Sequence, residues 1–398
     1  MRNAYMPHVR SWARTKEENA AFATTLVVTM VDSYTLLEVD LCYTVLHEHD
    51  ALLRSTVFRN PSRSQAFVAN SSTPPRRNDR TGPQVGTAHI NRAMSASIDF
   101  ETERGGYQFT YLSGSWARER HVQHTRIQPG LFSVGSTRGT SSHVHNPFAV
   151  VSRGSQEPRE TDGDVFGFAL VYSGNHIIEA EGNEVGRVRL NMGIHPLGFC
   201  WSLTPGTEFQ TPECIMVYSS KGLGGMSRIF HHLFLDHLMP KTWTVQPQPV
   251  LLNSWEAQYF NVSHDSIVEM AIEAKKLGIE MVVLDDGWFG KRNDANSSLG
   301  DWFPNREKFP FGIRGCANSI ESLGMKMGLW FEPEMVSTDS ELYRTHPDWC
   351  LHVPGRPSQR GRNQLVLDMG RKDVRSYLLK KISKILESAT ISYVKWDM

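Results

Sequence analysis

The stretch Glu280–Trp288 reads EMVVLDDGW, an apolar run that stops at two carboxylates, a glycine and an indole. The same layout returns along the second half of the chain. Apolar strands are predicted at Val250–Trp255, Glu280–Leu284, Lys326–Phe331, Gln364–Leu367 and Ile391–Trp396, with helical segments between them. Such β/α alternation predicts parallel strands. The first helix, Asp265–Leu277, gathers Ile267, Met270, Ala271, Ala274 and Leu277 on one stripe, and Gly278 supplies its stop. A later one, Asp373–Glu387, does the same with Val374, Tyr377, Leu378, Ile382, Ile385 and Leu386.

In a β/α barrel the reacting groups stand at the C-terminal ends of the strands. Here every such end is polar and aromatic: Asn253-Ser254-Trp255-Glu256, Asp285-Asp286-Gly287-Trp288, Trp330-Phe331-Glu332-Pro333-Glu334, Asp368, and Lys395-Trp396-Asp397. One acidic strand end would mean little, because aspartate is a common turn former. Five together predict a pocket lined with carboxylates and indoles. On the last strand Lys395 and Asp397 must face one side and Trp396 the other, since side chains alternate with period two. A lysine beside a carboxylate favours its ionised form, which suits a nucleophile. A purely structural ion pair would leave the same pattern.

Upstream, from Thr25 to about Pro240, the sequence reads as β structure. Leu37, Val39, Leu41, Tyr43 and Val45 alternate with Glu38, Asp40, Cys42 and Thr44, which predicts a half-buried strand with the apolar set inward. The cluster His47–Asp50 then turns the chain into a second strand, Ala51–Phe58. Further short strands, such as Val165–Tyr172 and Arg187–Met192, suggest a sandwich. Between Val68 and Gly86 the composition is Ser, Pro, Arg, Asn and Gly, which predicts an exposed loop. The expected organisation is a β-sandwich over residues 1–240 followed by five β/α units over 241–398.

Composition narrows the chemistry. The 42 basic residues cancel the 42 acidic ones, so no overall field draws the chain to nucleic acid or anionic lipid, and a neutral substrate fits. Ten tryptophans offer faces for stacking on sugars, although core packing is the commoner fate of an indole. Five cysteines, widely spaced and outside any CxxC pattern, point neither to a disulfide framework nor to a zinc site. No apolar run at Met1–Arg14 reads as a signal peptide, and no later stretch reaches membrane-spanning length. N-x-S triplets begin at Asn70, Asn261 and Asn296 but arise often by chance, so the compartment stays open, with a lean towards the cytoplasm.

The strand ends also carry a family resemblance. NSWEAQYF (253–260), LDDGWFG (284–290), SLGDW (298–302), GLWFEPEMVS (328–337), HPDW (346–349), NQLVLDMG (363–370) and YVKWDM (393–398) resemble, in order, the barrel of the family 36 α-galactosidases. Gly114–Arg120 (GSWARER) and Ser136–His143 (STRGTSSH) resemble that family's β-sandwich. The resemblance implies a multidomain fold, an N-terminal all-β sandwich followed by a partial (β/α)8 TIM barrel, and removal of terminal α-linked galactose from melibiose- and raffinose-type sugars with retention of configuration. By the same resemblance Asp397 matches the nucleophile. Asp285 and Asp286 match the pair that binds galactose hydroxyls, Arg362 and Lys395 match cationic sugar contacts, and Trp255 and Trp330 match indoles lining the pocket. No metal or other cofactor is implied, and a longer form could assemble as a homo-oligomer. Glu332 and Glu334 are given no catalytic role.

Retaining glycosidases need two carboxyl groups about 5–5.5 Å apart. In this family the second lies on a strand beyond the nucleophile, whereas this sequence ends one residue after Asp397. Five parallel strands cannot close an eight-stranded barrel, and an open sheet leaves edges unpaired. The expectation is a fragment that also lacks the family's amino-terminal segment, is aggregation-prone and has no turnover by itself. The competing readings are a galactosyl transferase of the raffinose-synthase kind and a non-catalytic galactose-binding fragment. A metal-dependent barrel is disfavoured, because Trp and Gly crowd the acidic positions and no His joins them at ligand spacing.

Overall fold

The computed structural model describes residues 22–32, 35–61 and 86–397. The loop expected over Val68–Gly86 lies, except for Gly86, outside the described residues, as do Met1–Arg14 and Asn70. The chain packs as two units that meet in sequence at Val245 and Gln246. Among the described residues no helix is long and apolar enough to cross a membrane.

In the first unit a large antiparallel sheet runs in the order Ala23–Val31, Glu38–Leu46, Ala51–Asn60, Cys214–Ser219, Val165–Leu170, His145–Arg153, Tyr107–Ser115, Arg118–Arg126, with Thr207–Gln210 also paired to Ala51–Asn60. A three-stranded sheet, His176–Gly182, Val188–Ile194 and Met94–Phe100, lies against one face. Phe109, Val151 and Phe168 of the large sheet meet Ile178, Leu190 and Met192 of the small one in a shared core. The period-two rule then sends Val150 and Val165 to the other face, where they pack with Met226, Phe230 and Leu233 of the helix Gly222–Leu233. Gly167 permits that contact, since a Cβ there would stand 2.5 Å from the Met226 sulfur. The two sheets packed on a shared core bear out the expected sandwich, and the helix adds a layer on the opposite face of the large sheet.

The hairpin at His47–Asp50 is present, with Glu38–Leu46 and Ala51–Asn60 paired in continuous antiparallel register. The burial of its first strand is the reverse of what alternation predicted. Asp40 and Thr44 are buried while Val45 is 49% exposed. The polar face is tolerated because its groups are paired: Thr29 donates to Asp40, Arg59 bridges to Asp40, and the hydroxyls of Thr25 and Thr44 are 2.8 Å apart.

The second unit is built on a parallel sheet in the order Leu251–Asn253, Met281–Leu284, Lys326–Phe331, Tyr393–Trp396. It has four strands, not the expected five. Gln364–Val366 pairs antiparallel with Met335–Ser337 in a separate two-stranded ladder. A four-residue apolar run shows that a segment is buried but not which partner it pairs with. Leu365 and Leu367 satisfy their apolar character in the same core without joining the sheet. The two inner strands are buried almost throughout, whereas Leu251, Tyr393, Val394 and Trp396 on the outer two are exposed.

Helices His264–Lys276, Gly312–Ser322 and Lys372–Leu386 cover the sheet through Ile267, Ala271 and Ala274, Ile313, Ala317 and Ile320, and Val374, Leu378, Ile382 and Ile385. The first ends as expected at Gly278, which takes φ +81°. Gly278 N–H donates to Lys275 and Ile279 N–H to Ala274, the paired bonds of a Schellman stop. Leu277, expected on the stripe, is instead the capping residue and 82% exposed; Ile279 packs on the core in its place. At the other end Ser263 and Ser266 cap each other reciprocally, each side chain accepting the other's backbone N–H. Ser263→Ala is expected to lower stability by about 1 kcal/mol in urea unfolding.

Candidate active site

The parallel strands end together, and their last residues form one hydrogen-bonded network. Asp285, 2% exposed at the end of the second strand, accepts from Asn253 Nδ2 at 2.6 Å and from Lys395 Nζ at 2.8 Å, both on Oδ2. Its own N–H donates to the Ser254 hydroxyl at 3.0 Å, and its Oδ1 accepts the Asp286 N–H at 2.9 Å. First, second and fourth strands are thereby joined through a single carboxylate.

Asp397 lies just past the fourth strand and its side chain is 38% exposed. Its N–H continues the ladder by donating to the Phe331 carbonyl at 2.8 Å. The Trp330 indole donates to its Oδ2 at 3.0 Å, and Lys395 Nζ stands 3.9 Å from the same oxygen. Lysine and aspartate thus share a side, as period two requires. Trp396 turns the other way and donates to Glu334 at 2.9 and 3.1 Å. The sequence reading made Lys395 the counter-ion of Asp397. The shorter contact is to Asp285, so one cation sits between two carboxylates and Trp330 is the direct donor to Asp397.

Asp286 is equally buried but has a partner of its own. Arg292, 0% exposed, holds it in a fork, Nε at 3.0 and 3.2 Å and Nη2 at 2.8 Å, and places Nη1 on the Ser297 carbonyl. The guanidinium also lies over the rings of Phe260 and Phe289. Burial pushes the Asp286 carboxyl upward, with Arg292 opposing. The connecting loop is fastened by Lys308, whose ammonium donates to the carbonyls of Phe260, Gly287 and Arg292 at 2.8–2.9 Å. Neither Arg292 nor Lys308 was expected from the sequence. An arginine six residues past an acidic strand end looks like any surface cation until the loop folds back.

Trp330 is 1% exposed, and its ring lies among Phe289 and Trp302, so it offers the site its N–H rather than its face. Its carbonyl accepts from the Trp288 indole at 3.0 Å. Trp255 begins a short helical turn and packs edge-on against Tyr259 and Phe260. Arg362, in a left-handed conformation with φ +53°, brings its Nη1 within 3.8 Å of Glu332 Oε1 at the margin of the network. Two acidic strand ends play the ordinary turn role instead. Asp368 accepts the Gly370 N–H at 3.0 Å, and Glu256 is exposed and accepts from the Tyr259 hydroxyl. Chemically, the network presents a partly exposed carboxylate beside two buried ones, with fixed N–H donors around them. Such a cluster can hold a polyhydroxylated ligand and attack it.

Two family models match the chain: "Glycosyl hydrolase family 36 N-terminal domain" over residues 76–204 and "Melibiase" over residues 208–398. Among curated proteins, the α-galactosidase AgaA of Geobacillus stearothermophilus is 44% identical over 98% of this chain and 50% of its own length. The α-galactosidase Mel36A of Lactobacillus acidophilus is 41% identical over 99% of this chain and 49% of its own. The chain therefore spans about half the length of the curated relatives it matches. Among solved structures, an AgaA variant in complex with raffinose superposes with a TM-score of 0.87 at 43% identity, over 98% of this chain and 50% of the other.

Proposed function

Since the chain belongs to glycoside hydrolase family 36, we propose that its barrel unit carries the galactose-binding residues and the nucleophile of a retaining α-galactosidase acting on terminal α-linked galactose. The observation that carries the reading is the Asp285–Lys395–Asp397 network at the C-terminal ends of parallel strands. Relatives described as α-galactosidases, among them AgaA, of which one variant was solved with raffinose and another with stachyose, support the choice of sugar.

In the proposed first step an Asp397 oxygen bonds to the anomeric carbon as the glycosidic C–O bond breaks, and the leaving oxygen takes a proton from a general acid. Water then displaces Asp397 and restores the original configuration. Trp330 N–H and Lys395 keep Asp397 oriented, while Asp285 and Asp286 take ring hydroxyls. No described residue is assigned the role of general acid. By itself the 398-residue chain is accordingly read as binding galactose without turning over ordinary glycosides.

α-Galactosyl fluoride tests this directly, because fluoride leaves without protonation. The chain is expected to gain one galactosyl unit by intact-mass spectrometry, with Asp397 bonded to the anomeric carbon and fluoride released. Asp397→Ala should gain none. Calorimetric titration should show saturable galactose binding, weakened about 100-fold in Asp285→Ala as charge-assisted bonds are lost. p-Nitrophenyl α-galactoside, whose phenolate also leaves with little need of a proton, should release at most one equivalent of p-nitrophenol, and repeated turnover by the chain alone would overturn the no-turnover reading. Labelling that persists in Asp397→Ala would overturn the nucleophile assignment.

A further inference from the structure

We propose that Glu332 is a further contact for the bound galactosyl ring, its Oε2 taking up one of the ring hydroxyls. The inference rests on the galactose reading above and concerns a residue to which that reading gives no part. Glu332 directly follows the third strand, two residues beyond Trp330, whose indole donates to Asp397. Side chains two apart on extended backbone share a face, so Glu332 continues the face that carries the Asp397 contact. It is 1% exposed.

Of its oxygens, Oε1 stands 3.8 Å from Arg362 Nη1, beyond hydrogen-bond length, and Oε2 is buried with no hydrogen-bond partner among the described residues. Buried polar atoms are nearly always paired, and those that are not point to a missing ion, water or ligand. Glu334 provides the contrast. The Trp396 indole donates to both of its oxygens, the arrangement of a structural carboxylate.

The charged groups facing Glu332 are Arg362, Asp397, Asp286 and Arg292. It therefore sits among the carboxylates that the galactose site uses. Burial pushes its carboxyl up to about 7, so below neutral pH it is the uncharged acid. An uncharged carboxyl offers both a donor and an acceptor without adding a third negative charge beside Asp286 and Asp397. A sugar hydroxyl is the complementary partner, being donor and acceptor in one atom.

The test is calorimetric titration of the chain with galactose and with each mono-deoxygalactose, at pH 6 and pH 8.5. Wild type should bind galactose about five- to tenfold more weakly at pH 8.5, where the donor is lost, and Glu332→Gln should bind with affinities within about threefold of each other at the two pH values. Glu332→Ala should weaken galactose about tenfold at pH 6, yet cost nothing further against the one deoxysugar that lacks the partner hydroxyl. That coupling to a single hydroxyl is something a merely structural role would not produce. If Glu332→Ala does not fold, Glu332→Gln carries the same deoxysugar comparison at pH 8.5, where only the wild type should have lost its donor. Equal galactose affinity in wild type and both variants, or losses spread evenly over every deoxysugar, would overturn the inference and leave the galactose site standing. A folded wild type that binds no galactose would overturn the galactose reading itself.

Discussion

Replacing Arg292 with methionine is expected to destabilise the barrel unit by about 3–5 kcal/mol, because it leaves a buried carboxylate without the guanidinium that pairs with it directly. Asp286 is 2% exposed and Arg292 0%, and the fork between them uses three N–H···O contacts. Urea unfolding followed by the fluorescence of the buried Trp288, Trp302 and Trp330 measures the loss. The loss should shrink at pH 5, since Asp286 can then escape its predicament by taking up a proton. The double change Arg292→Met with Asp286→Leu should recover most of the stability while abolishing galactose binding. An Arg292→Met protein as stable as wild type at pH 8 would mean that the ion pair contributes nothing to the fold.

A second large effect should appear in the pH dependence of stability. The Glu332 carboxyl is raised by burial from 4.5 to about 7, with Arg362 opposing and Asp397 adding to the rise. Its folded form therefore holds the proton more tightly than its unfolded form does. Between those two values the native state binds more protons, so stability is fully present below about pH 4.5 and falls as pH rises through 7. The loss attributable to this one group is on the order of 3 kcal/mol. Asp286 and Asp301, both raised by burial, push the same way. Unfolding midpoints at pH 5 and pH 8 should converge in Glu332→Gln relative to wild type. If the variant shows the full wild-type slope, the burial of Glu332 is not the source of the effect.

The two predictions concern residues that the sequence treated very differently. Glu332 stood in view at a strand end, yet nothing in GLWFEPEM separates it from Glu334. Only the fold turns one towards Asp397 and gives the other to Trp396. Arg292 was not singled out at all, because its role depends on a loop that returns to its own strand end.

Local order was legible because it is enforced by neighbours along the chain. Period-two alternation put Lys395 and Asp397 on one side, a glycine stopped the helix at Lys276, and the apolar stripe Ile267–Ala274 foretold the face that is buried. The two-unit organisation and the carboxylate-rich strand ends followed from the same short-range patterns, and the family resemblance added which sugar and which nucleophile to expect.

Tertiary structure decided everything that depends on which distant segments meet. It took Gln364–Val366 out of the parallel sheet, buried Asp40 and Thr44 in place of Val45, and moved the closer contact of Lys395 from Asp397 to Asp285. Backbone periodicity fixes the direction of a side chain relative to its own strand. The partner it reaches is set by non-local packing, which no window of sequence contains.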